Sequence, residues 1–569
     1  MIQPTDLLTL LLILASAIVA ARLLTPHIVK IYTHAPSRLD KYLDPLEKTI
    51  YRLLGVDPGK GMGWREYFLS ALIVNIFQMF LAFIIFVFQG GLPLNPQRFP
   101  GLNLDLALMQ AISFGTNTNL QHYNGEGVCS SNTPLPNCAT LSNTPGLSYL
   151  SQMTAVQFLQ FTSAATGICV AAAMIRGFVA NSKDMGNFHV DFVRSLTRLL
   201  LPLCFISALV FVALGVPQTI YGYSTVTTVE RGTQTILIGP VASLVSIMQL
   251  GTNGGGYYGA NSAYPFQNPN PASDIFQIFL MLLIPTSLCF VYGHMLGKKK
   301  EARPILWGAY TLFALDLIVA FIPNYRLGPG METRFGGFFT NFWTVVTTAV
   351  TTGSVNSNLS GNHPWVILSA FMGMLIQATP GGKGVGMMYM LMYIVITVFI
   401  VGLMSGRTPE YLGMKVNARD VKLVMITFLV HPVIILVPTV LAYASGATTM
   451  IHVSNSSTGF TRILYEFTSA AANNGSDFLG ANAQFSPFFN ISTGLVMFFG
   501  RFVPVGLLLA LSGSMINRRR TSEVGLRTDS LTFTVVLVGS ILLLVVLTFF
   551  PFLALGPILE LFQHRVNGF

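Results

Sequence analysis

Apolar and polar residues alternate along this chain in blocks, not with the period of a surface helix. A helix crossing a hydrocarbon core about 30 Å thick needs roughly 20 apolar residues. Ten stretches meet that length: Leu7–Val29, Tyr67–Val87, Thr154–Ala180, Val190–Val216, Ile275–Leu296, Ile305–Ile322, Met387–Met404, Val421–Tyr443, Ile491–Leu511 and Leu531–Phe552. The first has no basic segment before it and no small-residue cleavage site after it, so it reads as a retained helix and not a signal peptide.

The connections between these stretches are of two kinds. Segments 30–65, 176–198, 298–303, 407–422 and 518–527 hold most of the 32 Lys and Arg, including Lys298-Lys299-Lys300 and Arg518-Arg519-Arg520. The positive-inside rule places these segments in the cytoplasm and both termini outside. The outward connections are long and rich in Gly, Asn, Thr and Ser. Each contains an apolar segment too short to cross: Leu104–Phe114, Val241–Leu250, Phe339–Val350 and Phe460–Ala472. Such lengths suit re-entrant or core helices.

Each short segment runs into a polar sequence of small residues, and the four sequences are alike. They are Thr116-Asn117-Thr118-Asn119, Thr252-Asn253-Gly254-Gly255-Gly256, Thr351-Thr352-Gly353-Ser354-Val355-Asn356 and Ala472-Asn473-Asn474-Gly475-Ser476. The second and fourth also share a continuation, Gly259-Ala260-Asn261 and Gly480-Ala481-Asn482. The predicted fold is an all-α polytopic membrane protein of ten transmembrane helices, eight of them in four pseudo-symmetric helix, pore helix, loop, helix repeats around a pore. Residues 1–35 form an extra N-terminal helix and 36–66 a cytoplasmic segment. The repeats span 67–180, 190–297, 304–405 and 421–516, and 530–569 adds a C-terminal helix.

Irregular backbone at membrane depth survives only where protein or a water-filled cavity surrounds it. Four such loops therefore face a shared pore, where carbonyls and the oxygens of Thr, Ser and Asn replace the hydration shell of a cation. Gly254, Gly353 and Gly475 allow positive φ without a Cβ clash. Pore helices entering from outside aim their negative C-terminal ends at the ion. The runs contain no carboxylate, with Glu126 and Asp477 lying just beyond them. A divalent ion gathers several carboxylates, so potassium fits better. The candidate ligands are Asn117, Thr118, Asn119, Thr252, Asn253, Gly254, Gly255, Thr352, Gly353, Ser354, Asn473, Asn474 and Gly475.

Composition narrows the function further. Of 569 residues 52% are hydrophobic and 9% charged, with a net charge of +10. A soluble domain carries about 25% charged residues, so ordinary cytosolic, disordered and disulfide-scaffold classes are excluded. The basic excess belongs to topology, which removes the nucleic-acid reading. No aspartyl-phosphate motif is present, and Gly381-Gly382-Lys383-Gly384 lacks the spacing of a phosphate loop, so the chain does not hydrolyse ATP itself. No catalytic triad or metal-ligand spacing is recognisable; His122, His363 and His431 are scattered with no evident acidic neighbours.

The runs Phe114-Gly115-Thr116-Asn117-Thr118-Asn119-Leu120-Gln121, Gly251-Thr252-Asn253-Gly254-Gly255-Gly256-Tyr257 and Asn473-Asn474-Gly475-Ser476-Asp477 resemble those of the potassium-binding A subunits of the Kdp-type bacterial potassium-transporting ATPases. The likeness covers nearly the whole chain. It implies a potassium-selecting component of an ATP-driven uptake complex in the bacterial inner membrane. A P-type ATPase, the B component of the complex, would supply hydrolysis with ATP and magnesium, and small membrane subunits C and F would complete the assembly alongside membrane lipid. No organic cofactor is implied. The competing reading is a stand-alone potassium channel or ion-coupled secondary transporter of the same superfamily.

The resemblance also assigns supporting residues. Gln121 matches a position associated with ion selectivity, as a ligand or a loop brace. Arg501 interrupts an apolar helix where the family has a vestibule cation; an ion-transfer role and a structural one both stand. Asp316 is a second buried charge. The stretch His363–Gly386 is broken at Thr379-Pro380-Gly381-Gly382, as in a gate or hinge, and carries Gln377 where the family usually has a carboxylate. Cys129 and Cys138 share a Pro-rich outward loop, either bridged or as free thiols.

Overall fold

A computed structural model describes the chain except residues 1–2, 126–145, 181, 228, 230, 324–327, 329–330, 383, 455, 480, 517, 521–526 and 567–569. Glu126, Cys129, Cys138, Lys383 and Gly480 lie outside the described residues. Among those described, ten helices are long and apolar enough to cross a membrane. They are Pro4–Thr33, Trp64–Gly91, Tyr149–Phe178, Phe188–Ala213, Pro271–Met295, Lys299–Ala320, Val385–Met404, Ala418–Ala444, Pro487–Met515 and Leu531–Leu555. Each coincides with one of the ten apolar stretches, because a helix in lipid must satisfy its backbone internally along its whole length.

Termini follow local chemistry. The first and ninth spans begin with Pro4 and Pro487, where a missing N–H costs nothing. The fifth opens on a capping box formed by Asn270 and Ser273. The third and fourth spans each contain a π-helical segment, Gln152–Gln157 and Ser195–Leu200.

Four short helices lie between outgoing and returning spans: Leu104–Gly115, Val241–Leu250, Gly336–Ala349 and Ser457–Ala471. They agree with the four short apolar segments to within three residues at either end. The third return is split into Pro364–Ile376 and Val385–Met404, with the break at the predicted Pro-Gly sequence. The most buried spans are the third, fifth and seventh, at 89%, 78% and 72% of their apolar windows, against 22% for the first. Centre and periphery are thus distinct. The tenth span packs on the sixth, and a following helix, Pro557–Val566, reaches the fourth short helix.

Several of the described elements were not foreseen, two of which stand out. A hairpin pairs Tyr223–Thr227 with Thr233–Leu237. The helix Asp40–Leu53 turns its acidic face inward, where Asp44 and Glu47 meet the Arg198 guanidinium at 2.6 and 2.7 Å. Asp40, which also meets Arg198, has its carboxyl held below the usual range by the Ser37 N–H and by that guanidinium.

Candidate functional site

All four short helices end in the same way. In each, one residue enters positive φ and the next N–H bonds back to the last turn in the Schellman pattern. The positive-φ residues are Asn117 (60°), Thr252 (45°), Thr351 (50°) and Asn473 (50°). Then Thr118, Asn253, Thr352 and Asn474 donate to the carbonyls of Ser113, Met248, Thr347 and Ser469 at 2.7 to 2.9 Å. Two residues past the first, φ is positive again, at Asn119 (57°), Gly254 (117°), Gly353 (92°) and Gly475 (102°). The backbone therefore repeats fourfold although the side chains do not. Thr252 and Thr351 are β-branched at positive φ, a genuinely unfavourable placement held by its surroundings.

The loops meet on one centre. A methyl group built on Gly254 would strike the Thr352 carbonyl and lie 3.1 Å from Asn474 O and 3.2 Å from Thr118 O. One at Gly353 would strike the Asn474 carbonyl, and one at Gly475 the Thr118 carbonyl. Carbonyls at one equivalent position in the first, third and fourth loops thus crowd around the glycine of the second. Among the described residues no carboxylate intrudes. Such a ring offers neutral oxygens to a desolvated monovalent cation.

The amides of Asn117, Asn473 and Asn474 bind neighbouring segments. Asn117 donates to Gly251 O and Thr252 O at 3.3 and 3.0 Å and accepts from Asn253 at 2.9 Å. Asn473 donates to Thr118 Oγ1 at 2.9 Å, and Asn474 to Thr347 O at 2.9 Å. These amides stitch loop to loop and leave the backbone to face the centre. Thr252 Oγ1, Thr352 Oγ1, Asn253 Oδ1 and both amide atoms of Asn119 are buried without a protein partner.

Other expected site residues fall around this ring. Gly255 packs against the Asn119 carbonyl, and its own carbonyl accepts from Gln160 at 2.8 Å. Gln160 follows the π segment of the third span. Ser354 gives its carbonyl to Trp343 at 2.8 Å and its hydroxyl to Gln249 at 3.2 Å, so it faces the wall. Gln121 accepts from Gly256 N–H and donates to Gly256 O, both at 3.1 Å, which favours the brace reading. Thr351, absent from the expected ligand set, occupies the same backbone position as Thr252.

Beyond the ring, a cavity of about 430 Å³ is bordered by Ala260, Glu332, Val355, Asn358 and Asp477. Burial works against ionising Glu332, but hydrogen bonds from Arg334 hold its carboxyl below the usual range. On the other side lies the helix break. A methyl at Gly382 would strike the Val350 carbonyl of the third loop, and one at Gly384 the Gly167 carbonyl of the third span. The break therefore reaches from the third loop to the third span. Gln377 caps Pro364–Ile376 at φ 56° and is buried at its edge.

Arg501 is 2% exposed, with Nη2 donating to Ser163 O at 3.2 Å and Nη1 unpartnered. Ser163 in turn donates to Asn117 Oδ1 at 3.0 Å, which ties the guanidinium to the first loop. Asp316 is wholly buried with neither oxygen partnered; among the described residues it forms no ion pair with Arg501. One expectation is corrected. His122 does have an acidic neighbour, Glu466, at 3.0 Å and 344 residues away in the chain. Among the described residues no group of three or more metal-ligating side chains is found.

The family model described as KdpA, potassium-transporting ATPase A subunit, matches residues 11–562. This chain belongs to that family. A relative, the potassium-transporting ATPase potassium-binding subunit of Alicyclobacillus acidocaldarius subsp. acidocaldarius, is 42% identical over 576 aligned positions, covering 98% of this chain and 99% of the relative. The fold is similar to that in the crystal structure of the potassium transporter TrkH from Vibrio parahaemolyticus, with a TM-score of 0.51 and 15% identity over 90% of this chain and 100% of that one. At that identity the likeness speaks for the fold alone.

Proposed function

We propose that the chain is the potassium-binding and translocating subunit of an ATP-driven uptake complex, and that the four loops are its filter. The observation that carries this reading is the convergence of the Thr118, Thr352 and Asn474 carbonyls on the space beside Gly254. Neutral carbonyls at close quarters repay dehydration of a large monovalent cation and offer too little charge for a divalent one. The four repeats at 67–180, 190–297, 304–405 and 421–516 each contribute one loop. Gln121 and Gln160 brace the second loop. Arg501, linked to the first loop through Ser163, places positive charge on the inner side, where it opposes return of the ion. The break at Gln377–Gly384 gates that side.

Hydrolysis of ATP with magnesium takes place in the P-type B component, with subunits C and F completing a complex in the bacterial inner membrane and both termini of this chain outside. The test is potassium uptake into vesicles. Uptake should require the hydrolysing partner and stop on ATP depletion. Uptake by this chain alone, indifferent to ATP, would instead identify a channel or secondary transporter.

A further inference from the structure

The loops are joined to one another by neutral amide bonds, with one exception. Between the first loop and the fourth short helix lies a charged cluster in which His122, Glu466 and Asn490 are all fully buried. His122 Nδ1 is 2.8 Å from Asn490 Oδ1, and Nε2 is 3.0 Å from Glu466 Oε1. The Asn490 amide cannot be turned around. Its Nδ2 donates to Asp105 Oδ2 at 2.8 Å and to Gln484 O at 3.1 Å, and reversal would set an oxygen against two acceptors. Asn490 Oδ1 is therefore the atom presented to His122, and only an N–H at Nδ1 satisfies it. The other ring nitrogen faces a carboxylate oxygen, so a proton lies there as well. The bridge holds one proton more than a neutral imidazole and a carboxylate.

We propose that His122 is a positioning residue held as an imidazolium, whose ion pair with Glu466 locks the first loop against the fourth short helix and thereby sets ion preference at the loop's outer end. The inference rests on the filter reading above. The charged and titratable groups facing the pair are Asp477, close against the Glu466 carboxyl, Asp105 through Asn490, and Tyr465 beside Glu466; Arg462 of the same short helix donates to Phe478 O and Leu479 O. Burial favours the pairing over an isolated charge. A carboxylate left alone there, with Asp477 nearby, pays desolvation with no return.

The test is a charge-balance cycle in the purified complex, reading potassium- and rubidium-stimulated ATP hydrolysis. His122→Gln strands the Glu466 charge; half-saturation for potassium should rise about tenfold or more, with the potassium-to-rubidium ratio lowered and the saturated rate little changed. Glu466→Gln added to it restores neutrality, and the double variant should return to within about threefold of the parent. If His122→Gln does not assemble, assembly of the double variant is the same rescue. An unchanged His122→Gln, or a double variant as impaired as the single one, overturns the proposal. Gly254→Ala in the same assay separates the two readings. If it too leaves half-saturation unchanged, the filter reading fails; if it alone is impaired, only the bridge fails.

Discussion

The first loop and the other three follow the same backbone course with different residues. At the second positive-φ position Gly254, Gly353 and Gly475 adopt φ of 117°, 92° and 102°, whereas Asn119 sits at 57°. The value of 57° lies within the small left-handed region open to L-residues, where Asn is several-fold enriched. The other three lie beyond it, where glycine alone is comfortable. Fourfold backbone symmetry is therefore approximate at this position. Each glycine also has a neighbouring loop's carbonyl where its Cβ would be. Three loops are closed to any side chain by strain and by space, and the first has bent to admit one.

The sharpest way to break this comparison is Gly254→Ala. The added methyl meets carbonyls of three other loops and is strained besides, at a cost of about 1–3 kcal/mol from backbone alone. Half-saturation for potassium in ATPase assays should rise well over tenfold, with discrimination against sodium reduced. Gly353→Ala and Gly475→Ala, each against one neighbouring carbonyl, should follow closely. Unchanged affinity in all three would end the filter assignment.

The ten spans and four short helices were readable because lipid enforces unbroken apolar length and leaves little else to decide. The Gly-rich runs were readable as loops for the same reason. What escaped was the backbone equivalence itself. Thr at a Schellman position contradicts its own preference, so Thr351 was left out of the expected ligands although it opens the third run as Thr252 opens the second. The direction of the asparagine amides was also hidden, since Asn117 and Asn473 have the same donors whether they face an ion or a neighbouring loop. His122 looked solitary because its partner is 344 residues away, brought close only where the fourth short helix meets the first loop. The inward acidic face of Asp40–Leu53 likewise answers to Arg198, which is far away in sequence.

A second break separates the stitching amides from the ring they support. Asn117→Gly keeps positive φ accessible and removes the bonds to Gly251, Thr252, Asn253 and Ser163. Each buried group left unpaired costs about 1–3 kcal/mol, part of which local water recovers. Potassium half-saturation should rise severalfold, less than for Gly254→Ala. A loss as large as that of the glycine variant would mean the Asn117 oxygen touches the ion directly.

The smallest effect should come from making the first loop like the others. Asn119→Gly removes a buried amide with both polar atoms unpartnered, relieving a desolvation penalty on the order of 1–3 kcal/mol. Against this stands the extra freedom of glycine in the unfolded chain, about 0.5–1 kcal/mol. The relief equals or exceeds that cost, so thermal stability of the complex should hold or rise, and potassium half-saturation should stay within about threefold of the parent. The reverse exchange, Gly254→Asn, puts a side chain where three carbonyls converge and should abolish potassium stimulation. If instead Asn119→Gly is as damaging as Gly254→Ala, the amide is itself an ion ligand, and the loops differ in function as well as in backbone.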